Sequence, residues 1–299
     1  RFNPDTEILV VPGGKMGAYQ ALATLLEPGD DVLIPEPYWL SYPEMVSLMR
    51  ARPVAVPSEA ANRFVCRPED LRKRQTARTR GLILNTPNNP AGFMLGEDDL
   101  AGWAPILTEM EFVLCDEVYE SIAFGGRAHR SPLDRADLRD RCLLVNSFSK
   151  SLAVPGWRLG YLAGPRSWLD RILDLQLQTA TCMPRFLQEA VAENLATCGA
   201  FLAESCLVYE QAAAFLMGHL DGRAGFHLHR PEGAFYALLR CDDVADGDEL
   251  ARRLLEERGV GTVPGSAYGE STRGWVRVCF AREQRELERA VAKLAVPFS

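Results

Sequence analysis

The feature that most constrains the fold is an alternation of apolar, β-rich runs with helical patterns between residues 7 and 164. The runs are continuous rather than alternating, which is typical of strands buried on both faces. Seven are predicted as strands: Glu7–Val11, Asp31–Pro35, Pro53–Pro57, Arg80–Asn85, Glu111–Asp116, Cys142–Ser147 and Arg158–Gly164. Helical patterns separate most of them, at Lys15–Leu26, Leu40–Arg50, Pro68–Arg74 and Glu97–Glu109. The pattern predicts an α/β fold, with a mainly parallel sheet sandwiched by helices.

The sequence pattern changes after Arg166, where long helical stretches begin and continue to about Gly218. A short α+β segment follows, with strands predicted at Gly225–Arg230, Ala234–Cys241 and Trp275–Ala281 and helices at Asp248–Arg258 and Arg282–Ala295. A chain of 299 residues is long enough for one large or two medium domains. We therefore predict a large α/β domain over residues 1–200 and a small C-terminal α+β domain over residues 201–299.

Composition narrows the range of partners and compartments. Asp and Glu number 40 against 33 Lys and Arg, without a block of like charge, so nucleic acid is not the expected partner. Apolar runs such as Ala18–Leu26 are too short to span a bilayer, and no charged-then-apolar leader is visible, so no membrane partner is expected. The eight cysteines are scattered among mostly apolar neighbours, which predicts buried free thiols and a cytoplasmic location.

A metal site is not expected. The cysteines lack the spacing of metal ligands. His227 and His229 share one face of a predicted strand, but the sequence offers no third ligand nearby. We interpret both histidines as exposed strand residues.

Ligands of open α/β sheets bind beyond the carboxyl ends of the strands, so the residues that follow each strand carry most information. Gly13, Gly14 and Lys15 open a helix directly after the first strand, where backbone N–H groups can face a phosphate or where the glycines form only a tight turn. Trp39 follows the second strand and is either a flat wall for a planar ligand or a core residue. The loop 85–92 is rich in amides.

Asp116 ends a hydrophobic strand, so its carboxylate is predicted to be buried. A buried carboxylate without a partner is energetically costly. We therefore expect Asp116 to have a cationic partner.

The segment 146–161 is the densest in chemically useful residues. Ser147, Ser149 and Lys150 follow a strand, and Arg158 comes eight residues after the lysine. An amine among apolar residues and near an arginine has a lowered pKa and can act as a nucleophile that forms a Schiff base. The alternative, a solvated surface lysine, fits this apolar stretch poorly.

These residues carry a family resemblance. Ser147-Phe148-Ser149-Lys150, followed by Gly156-Trp157-Arg158-Leu159-Gly160-Tyr161, resembles the pyridoxal phosphate lysine segment of class I aminotransferases, the aspartate aminotransferase family of fold type I. Further segments match the family in order: Gly13-Gly14-Lys15, Pro37-Tyr38-Trp39, Asn88-Asn89-Pro90-Ala91-Gly92, Asp116-Glu117-Val118-Tyr119, Pro231–Tyr236, Val263-Pro264-Gly265 and Trp275–Val278. The resemblance covers essentially the whole chain and implies pyridoxal 5′-phosphate as cofactor and a homodimer.

The resemblance also implies roles for individual residues. Lys150 would hold the cofactor and later move a proton at the substrate Cα, while Asp116 would pair with the cofactor ring nitrogen. Tyr119 and Asn89 would bind the ring oxygen, and Trp39 would stack on the ring. The phosphate would be held by a group of five residues: Gly14, Lys15, Ser147, Ser149 and Arg158.

The resemblance implies that Arg277, Asn89 and Trp39 bind the substrate. Arg277 would bind the α-carboxylate through two parallel hydrogen bonds. In the branch of the family that carries Gly-Gly-Lys, the lysine is associated with acidic side chains. Lys15 therefore points to aspartate or glutamate as amino donor, with 2-oxoglutarate as acceptor. The alternative is a lysine that merely extends from a helix start into solvent.

The expected function is transamination. The alternatives are another reaction that uses the same cofactor, namely that of a lyase, decarboxylase or cyclase, or a truncated module that binds the cofactor without turnover. Two departures from the family stand out: Ala91 replaces a commoner threonine, and the family's N-terminal segment is not visible before Glu7. We expect the first to be tolerated and the second to reduce activity of the chain alone.

Overall fold

The computed structural model describes residues 2–295 and 298, and its larger sheet has seven strands. They are β1 (Ile8–Val11), β2 (Asp31–Pro35), β3 (Arg52–Val56), β4 (Thr79–Asn85), β5 (Phe112–Asp116), β6 (Cys142–Ser147) and β7 (Gly160–Ala163). The strand order is β1-β7-β6-β5-β4-β2-β3, and only β7 runs antiparallel to its neighbours. The connection from β6 to β7 holds no crossover helix, so β7 returns beside β6 in the opposite direction. The predicted fold class is confirmed.

Helices cover both faces of this sheet. They are α1 (Gly13–Leu25), α2 (Ser41–Leu48), α3 (Pro68–Arg74), α4 (Glu97–Leu107), the short α5 (Phe148–Ser151), α6 (Arg166–Thr179) and α7 (Arg185–Leu195). Successive strand residues belong to different cores: Leu82 and Leu84 pack with Trp103, whereas Ile83 packs with Leu22. This division explains why the strands are continuously apolar, since each face of the sheet needs its own set of side chains.

The second sheet is antiparallel throughout and has the order β10-β11-β9-β8. Its elements are β8 (Phe226–Leu228), β9 (Tyr236–Cys241), β10 (Val263–Pro264) and β11 (Val276–Cys279), with α8 (Gly199–Leu220), α9 (Gly247–Arg258) and α10 (Gln284–Leu294) packed on one apolar core. The sequence did not predict β10 or α5, because two and four residues are too few to show a period. Of the range 201–299, positions 296, 297 and 299 lie outside the described residues.

Two expectations about individual side chains are wrong. Of the eight cysteines, all of them free, Cys182 and Cys279 are exposed, because one lies in the loop before α7 and the other at the end of β11. His229 is partly buried rather than exposed, since its ring packs edge-on against Phe64 with centroids 5.0 Å apart. That burial lowers the pKa of His229 to about 4. Within residues 2–295 and 298, no group of three potential ligands is placed to hold a metal ion.

The length of α8 corrects a further expectation. This helix of 22 residues, in which a window of 18 residues has a mean hydropathy of 1.2, is long and apolar enough to cross a membrane by length and composition alone. Two charged residues, Glu204 and Glu210, interrupt this apolar stretch, so its runs were predicted to be too short to span a bilayer. One helix of this kind is weak evidence, because core helices meet the same criterion.

Candidate active site

A cavity of about 470 Å³ opens at the carboxyl ends of β4, β5 and β6, between the first turn of α1 and the strands β9 and β11. Every residue that the sequence singled out as catalytic or binding lines it: Gly14, Lys15, Trp39, Asn89, Asp116, Tyr119, Ser147, Ser149, Lys150, Arg158 and Arg277. Residues separated by more than 250 positions in sequence thus meet at one edge of the sheet, where open α/β folds place their ligands. The sequence did not assign a role to four other polar lining residues: Ser41, Tyr42, Asn85 and Tyr236.

The floor of the cavity is the carboxylate of Asp116, which is 5 % exposed. The hydroxyl of Tyr42 donates to Oδ2 over 2.6 Å, and the N–H of Val118 donates to Oδ1 over 3.3 Å. Burial raises the pKa of Asp116 to about 6, although both hydrogen bonds and the charge of Lys150 act in the opposite direction. No lysine, arginine or histidine of the described chain lies within ion-pair distance of it. The cation that the sequence predicts beside Asp116 is thus not supplied by the described residues.

Tyr42 is the residue that the sequence most clearly missed. It lies in the first turn of α2, is 1 % exposed and packs edge-on against Trp39. In sequence it reads as an ordinary apolar position of an amphipathic helix. The signal that could have found it is the need of every buried tyrosine hydroxyl for a hydrogen-bond partner, which here is Asp116.

Lys150 lies on the short helix that follows β6. Ser147 caps this helix, since its hydroxyl accepts the N–H of Ser149 over 3.2 Å, and the two hydroxyls are 2.9 Å apart. Burial lowers the pKa of Lys150, and the charges of Arg158 and Arg277 lower it further, while Cys279 and Asp116 act in the opposite direction. The shift has the direction expected for a nucleophilic amine.

The first turn of α1 forms an anion cradle. Gly13 has a φ of +78°, and a Cβ there would lie 2.6 Å from Nη2 of Arg158, so a larger residue would be strained and would displace the guanidinium. Arg158 is fixed by a bond of 2.9 Å from Nη1 to the carbonyl of Pro155. Pro12 provides no side-chain cap, so the first N–H groups of α1 remain available. A phosphate suits this combination of helix N-terminus and guanidinium.

The opposite wall is a connected set of polar side chains. Nη1 of Arg277 donates to Oδ1 of Asn89 over 3.0 Å, and the N–H of Asn89 donates to Oδ1 of Asn85 over 2.8 Å. Asn85 in turn donates to the backbone carbonyl of Asp116 over 3.0 Å. The hydroxyl of Tyr119 shares a hydrogen bond with that of Tyr236, and burial raises the pKa of Tyr119. The positions of Arg277 and Asp116 are therefore coupled through two asparagines.

Comparison with known proteins relates this arrangement to one family. The sequence matches the family described as aminotransferase class I and II over residues 1–294. It is 34 % identical to aromatic-amino-acid aminotransferase 2 of Thermococcus litoralis and 33 % identical to an aspartate aminotransferase of Pyrococcus abyssi, in each case over 98 % of this chain and 76 % of the relative. The solved aromatic aminotransferase of Pyrococcus horikoshii superposes with a TM-score of 0.95 at 33 % identity, over 99 % of this chain and 80 % of the other.

Because Asp116 has no ion-pair partner among the described residues, we expect its replacement by asparagine to stabilise the ligand-free protein. The pKa of Asp116 rises from 3.8 to about 6 on folding, so the folded state binds the proton more tightly than the unfolded state does. The free energy of unfolding therefore falls as pH increases from about 4 to about 6 and the folded carboxyl ionises. Above pH 6 the ionised carboxyl costs about 3 kcal/mol. We expect Asp116→Asn to raise the free energy of unfolding of the ligand-free protein by about 1 to 3 kcal/mol at pH 8, with the gain vanishing towards pH 4. Urea titrations at both pH values measure it.

Asp31 supplies the matched control. Its carboxyl is equally buried, but bonds from Arg52 and Thr76 hold its pKa at about 2. Asp31→Asn should therefore destabilise the protein at pH 8, with a difference that shrinks as pH falls towards 2. A loss of stability in both variants at pH 8 would contradict the unpaired state of Asp116.

Proposed function

Because this chain belongs to the aminotransferase class I and II family, we propose that the cavity lined by Lys150, Asp116 and Arg277 is its active site. The chain is a pyridoxal phosphate-dependent aminotransferase, which transfers an amino group from an amino acid to a 2-oxo acid. One observation carries the assignment of the site: an amine with a lowered pKa shares a cavity with a buried, unpaired carboxylate and an anion cradle.

The lining of the cavity fits the three reactive parts of pyridoxal phosphate. The carboxylate of Asp116, buried without a cation, suits the protonated ring nitrogen. The turn at Gly13, which a Cβ would fill, suits the phosphate together with Arg158. The partly buried amine of Lys150 suits the aldehyde.

We assign the cofactor-binding roles accordingly. Asp116 would pair with the ring nitrogen, and Tyr119 and Asn89 would donate hydrogen bonds to the ring oxygen. Trp39, whose ring packs edge-on against Tyr42, would lie against the cofactor ring. The phosphate would be bound by the backbone N–H groups of Gly14 and Lys15, the hydroxyls of Ser147 and Ser149, and the guanidinium of Arg158.

The chemistry that pyridoxal phosphate supplies when bound is an electron sink, which makes the Cα proton of the amino acid acidic. Lys150 would act as base and acid at that Cα, since burial lowers the pKa of its amine and so favours the uncharged form. Arg277 would bind the α-carboxylate through its planar fork and so orient the Cα–H bond towards Lys150. Asp116 would maintain the charge on the ring nitrogen, because no described lysine, arginine or histidine forms an ion pair with its carboxylate.

The substrates that we propose are acidic amino acids of the aspartate or glutamate type, with 2-oxoglutarate as acceptor. Nζ of Lys15 lies 5.1 Å from the centroid of Trp39, inside the cavity lining, where it could meet a second carboxylate. Among the relatives, one is named for aromatic amino acids and one for aspartate. Asn89 and Trp39 would contact the substrate from the same side.

We also propose the two-domain division at residue 200 and a cytoplasmic location. The division is supported by the two separate sheets and by the second apolar core, which gathers residues of β8, β9, β11 and α8–α10. However, Tyr119, Ile122 and Phe124 of the first part also belong to that core. The location is supported by the eight free cysteines, which suit a reducing compartment.

A homodimer is proposed from the surface beside the cavity. An open groove of about 540 Å³ is lined mainly by apolar side chains, among them Met16, Tyr19, Met45 and Leu48, and it adjoins Lys15 and Arg158. Leu48 is 69 % exposed. Apolar surface of this extent, continuous with a charged active site, is typical of an interface between subunits. A second copy of this chain is the occupant that we propose.

The absorbance of the protein titrated with pyridoxal phosphate tests the proposed site. We expect a visible band of bound cofactor, which aspartate shifts to the ultraviolet as 2-oxo acid forms. Lys150→Ala should lose the band and the reaction while the fold persists, because this amine is the one that we propose attaches the cofactor. Lys73→Ala, at an exposed lysine paired with Asp70, is the control that should behave like the unchanged protein. A retained band in Lys150→Ala, or release of ammonia or carbon dioxide in place of the oxo acid, would overturn the assignment.

Substrate choice is tested at Lys15. Lys15→Ala should lower kcat/KM for aspartate about tenfold to a hundredfold, as expected when a charge-assisted hydrogen bond worth about 1.5 to 3 kcal/mol is lost. The value for alanine, which lacks a second carboxylate, should change little, since the backbone N–H at this position remains. Equal losses for both amino acids would place the side chain at the cofactor and not at the substrate.

The dimer is tested at Leu48. We expect Leu48→Glu to shift the mass in sedimentation equilibrium towards the monomer, because a carboxylate in an apolar interface must be desolvated. Leu255→Glu changes a similarly exposed leucine, 59 % accessible on α9 and outside the groove, and should leave the mass unaltered. An unchanged dimer in both variants would place the interface elsewhere.

A further inference from the structure

The guanidinium of Arg277 lies over two buried tyrosine rings. Its central carbon is 4.3 Å from the ring centroid of Tyr236 and 5.2 Å from that of Tyr268. Both distances are within the range of a cation–π interaction. Tyr236 is 9 % exposed and Tyr268 is fully buried, so these contacts are shielded from water.

Charge balance shows why these rings matter. Arg277 is partly buried, and no carboxylate of the described chain forms an ion pair with it. Its side chain makes one hydrogen bond, to Asn89, and its Nε is buried without an acceptor among the described residues. The charge of Lys150 is close enough to interact unfavourably with it. A desolvated cation in this setting needs compensation, which the negative faces of two aromatic rings provide.

An aromatic face can compensate the charge of Arg277 without occupying its N–H groups, whereas a carboxylate cannot. An acidic partner would stabilise Arg277 but would compete with the carboxylate of an incoming amino acid for the same N–H groups. A ring contacts the plane of the guanidinium and leaves hydrogen-bond donors at its edge free. We propose that Tyr236 and Tyr268 are positioning residues that orient Arg277 for the α-carboxylate of the substrate. The inference rests on the proposed role of Arg277.

The fold fixes each ring relative to Arg277. Tyr236 is on β9, where its neighbour across the strands is Cys279, two residues beyond Arg277 on β11, which makes Tyr236 and Arg277 diagonal neighbours. Tyr268 ends the turn 265–268 that follows β10, and β10 pairs with β11 at Arg277. The backbone carbonyl of Tyr268 accepts the N–H of Tyr38 over 3.1 Å, which holds the backbone at Tyr268 against the loop that follows β2.

The hydroxyl of Tyr268 gives independent support. It is buried and has no hydrogen-bond partner among the described residues. The contact that the described residues offer to the Tyr268 side chain at this site is therefore that of its ring with Arg277.

The test varies the electron density on the face of the ring at position 268 while the shape of the ring stays nearly constant. Tyr268 is replaced by phenylalanine and by its mono-, di- and trifluorinated forms in the protein loaded with pyridoxal phosphate, and calorimetry measures the Kd of succinate, a carboxylate that cannot react. Fluorine withdraws electrons from the face and weakens a cation–π contact stepwise. We expect the Kd to rise along the series by about threefold to thirtyfold in total. A flat series in proteins with unchanged thermal unfolding would overturn the proposal.

Two controls separate the possible failures. The same series at Phe112, a buried ring in the core of the larger sheet, should leave the Kd of succinate constant. Arg277→Leu should abolish succinate binding. If it does and the series at Tyr268 is flat, only the positioning role of the tyrosine fails. If Arg277→Leu still binds succinate with the original Kd, the proposed function of Arg277 fails, and the positioning role fails with it.

Discussion

The carboxylate of Asp116 at the end of β5 is the constraint on which the rest of the site depends. The sheet buries it, and the described residues supply a hydroxyl and an N–H but no cation that forms an ion pair with it. Asp31, at the start of β2, shows the usual solution for a buried carboxylate, since Arg52 satisfies it. The contrast identifies Asp116 as a group maintained at the expense of stability, which is typical of functional sites.

A carboxylate that is buried at the expense of stability requires a rigid support. Asp116 belongs to a strand with parallel neighbours on both sides and apolar cores on both faces. Close packing extends to the anion cradle: a Cβ at Gly160 of β7 would lie 2.6 Å from the carbonyl of Asn146 and 2.9 Å from the backbone nitrogen of Gly14. The turn at Gly13 and Gly14 is therefore pressed directly against the end of β6, which carries Ser147. The cradle and the carboxylate are fixed by the same sheet, so the distance between them is set by strand spacing and not by flexible loops.

Much of the fold and of the candidate site could be predicted from the sequence, because strands with two buried faces are continuously apolar and the polar residues after them are conspicuous. All eleven residues that were singled out line one cavity for that reason. Tyr42, Tyr236 and Tyr268 escaped prediction because tyrosine at an apolar position does not reveal where its hydroxyl or its face points. The missing cation beside Asp116 could not be predicted either, since a residue's sequence neighbours do not specify its contacts across the sheet. The strand β10 and the helix α5 are too short to have a detectable period.

The distribution of charge explains how an acidic chain binds anions. The chain has a formal charge of −7, yet Lys15, Lys150, Arg158 and Arg277 line the cavity against the single carboxylate of Asp116. The local excess of positive charge attracts a phosphate and a carboxylate into a cavity with low-dielectric walls. The same excess acts on Lys150, because Arg158 and Arg277 both lower its pKa. The groups that would bind the anions thus also favour the uncharged form of the amine. A bound phosphate and substrate carboxylate would neutralise both arginines and raise the pKa of Lys150, at the stage when it must hold a proton.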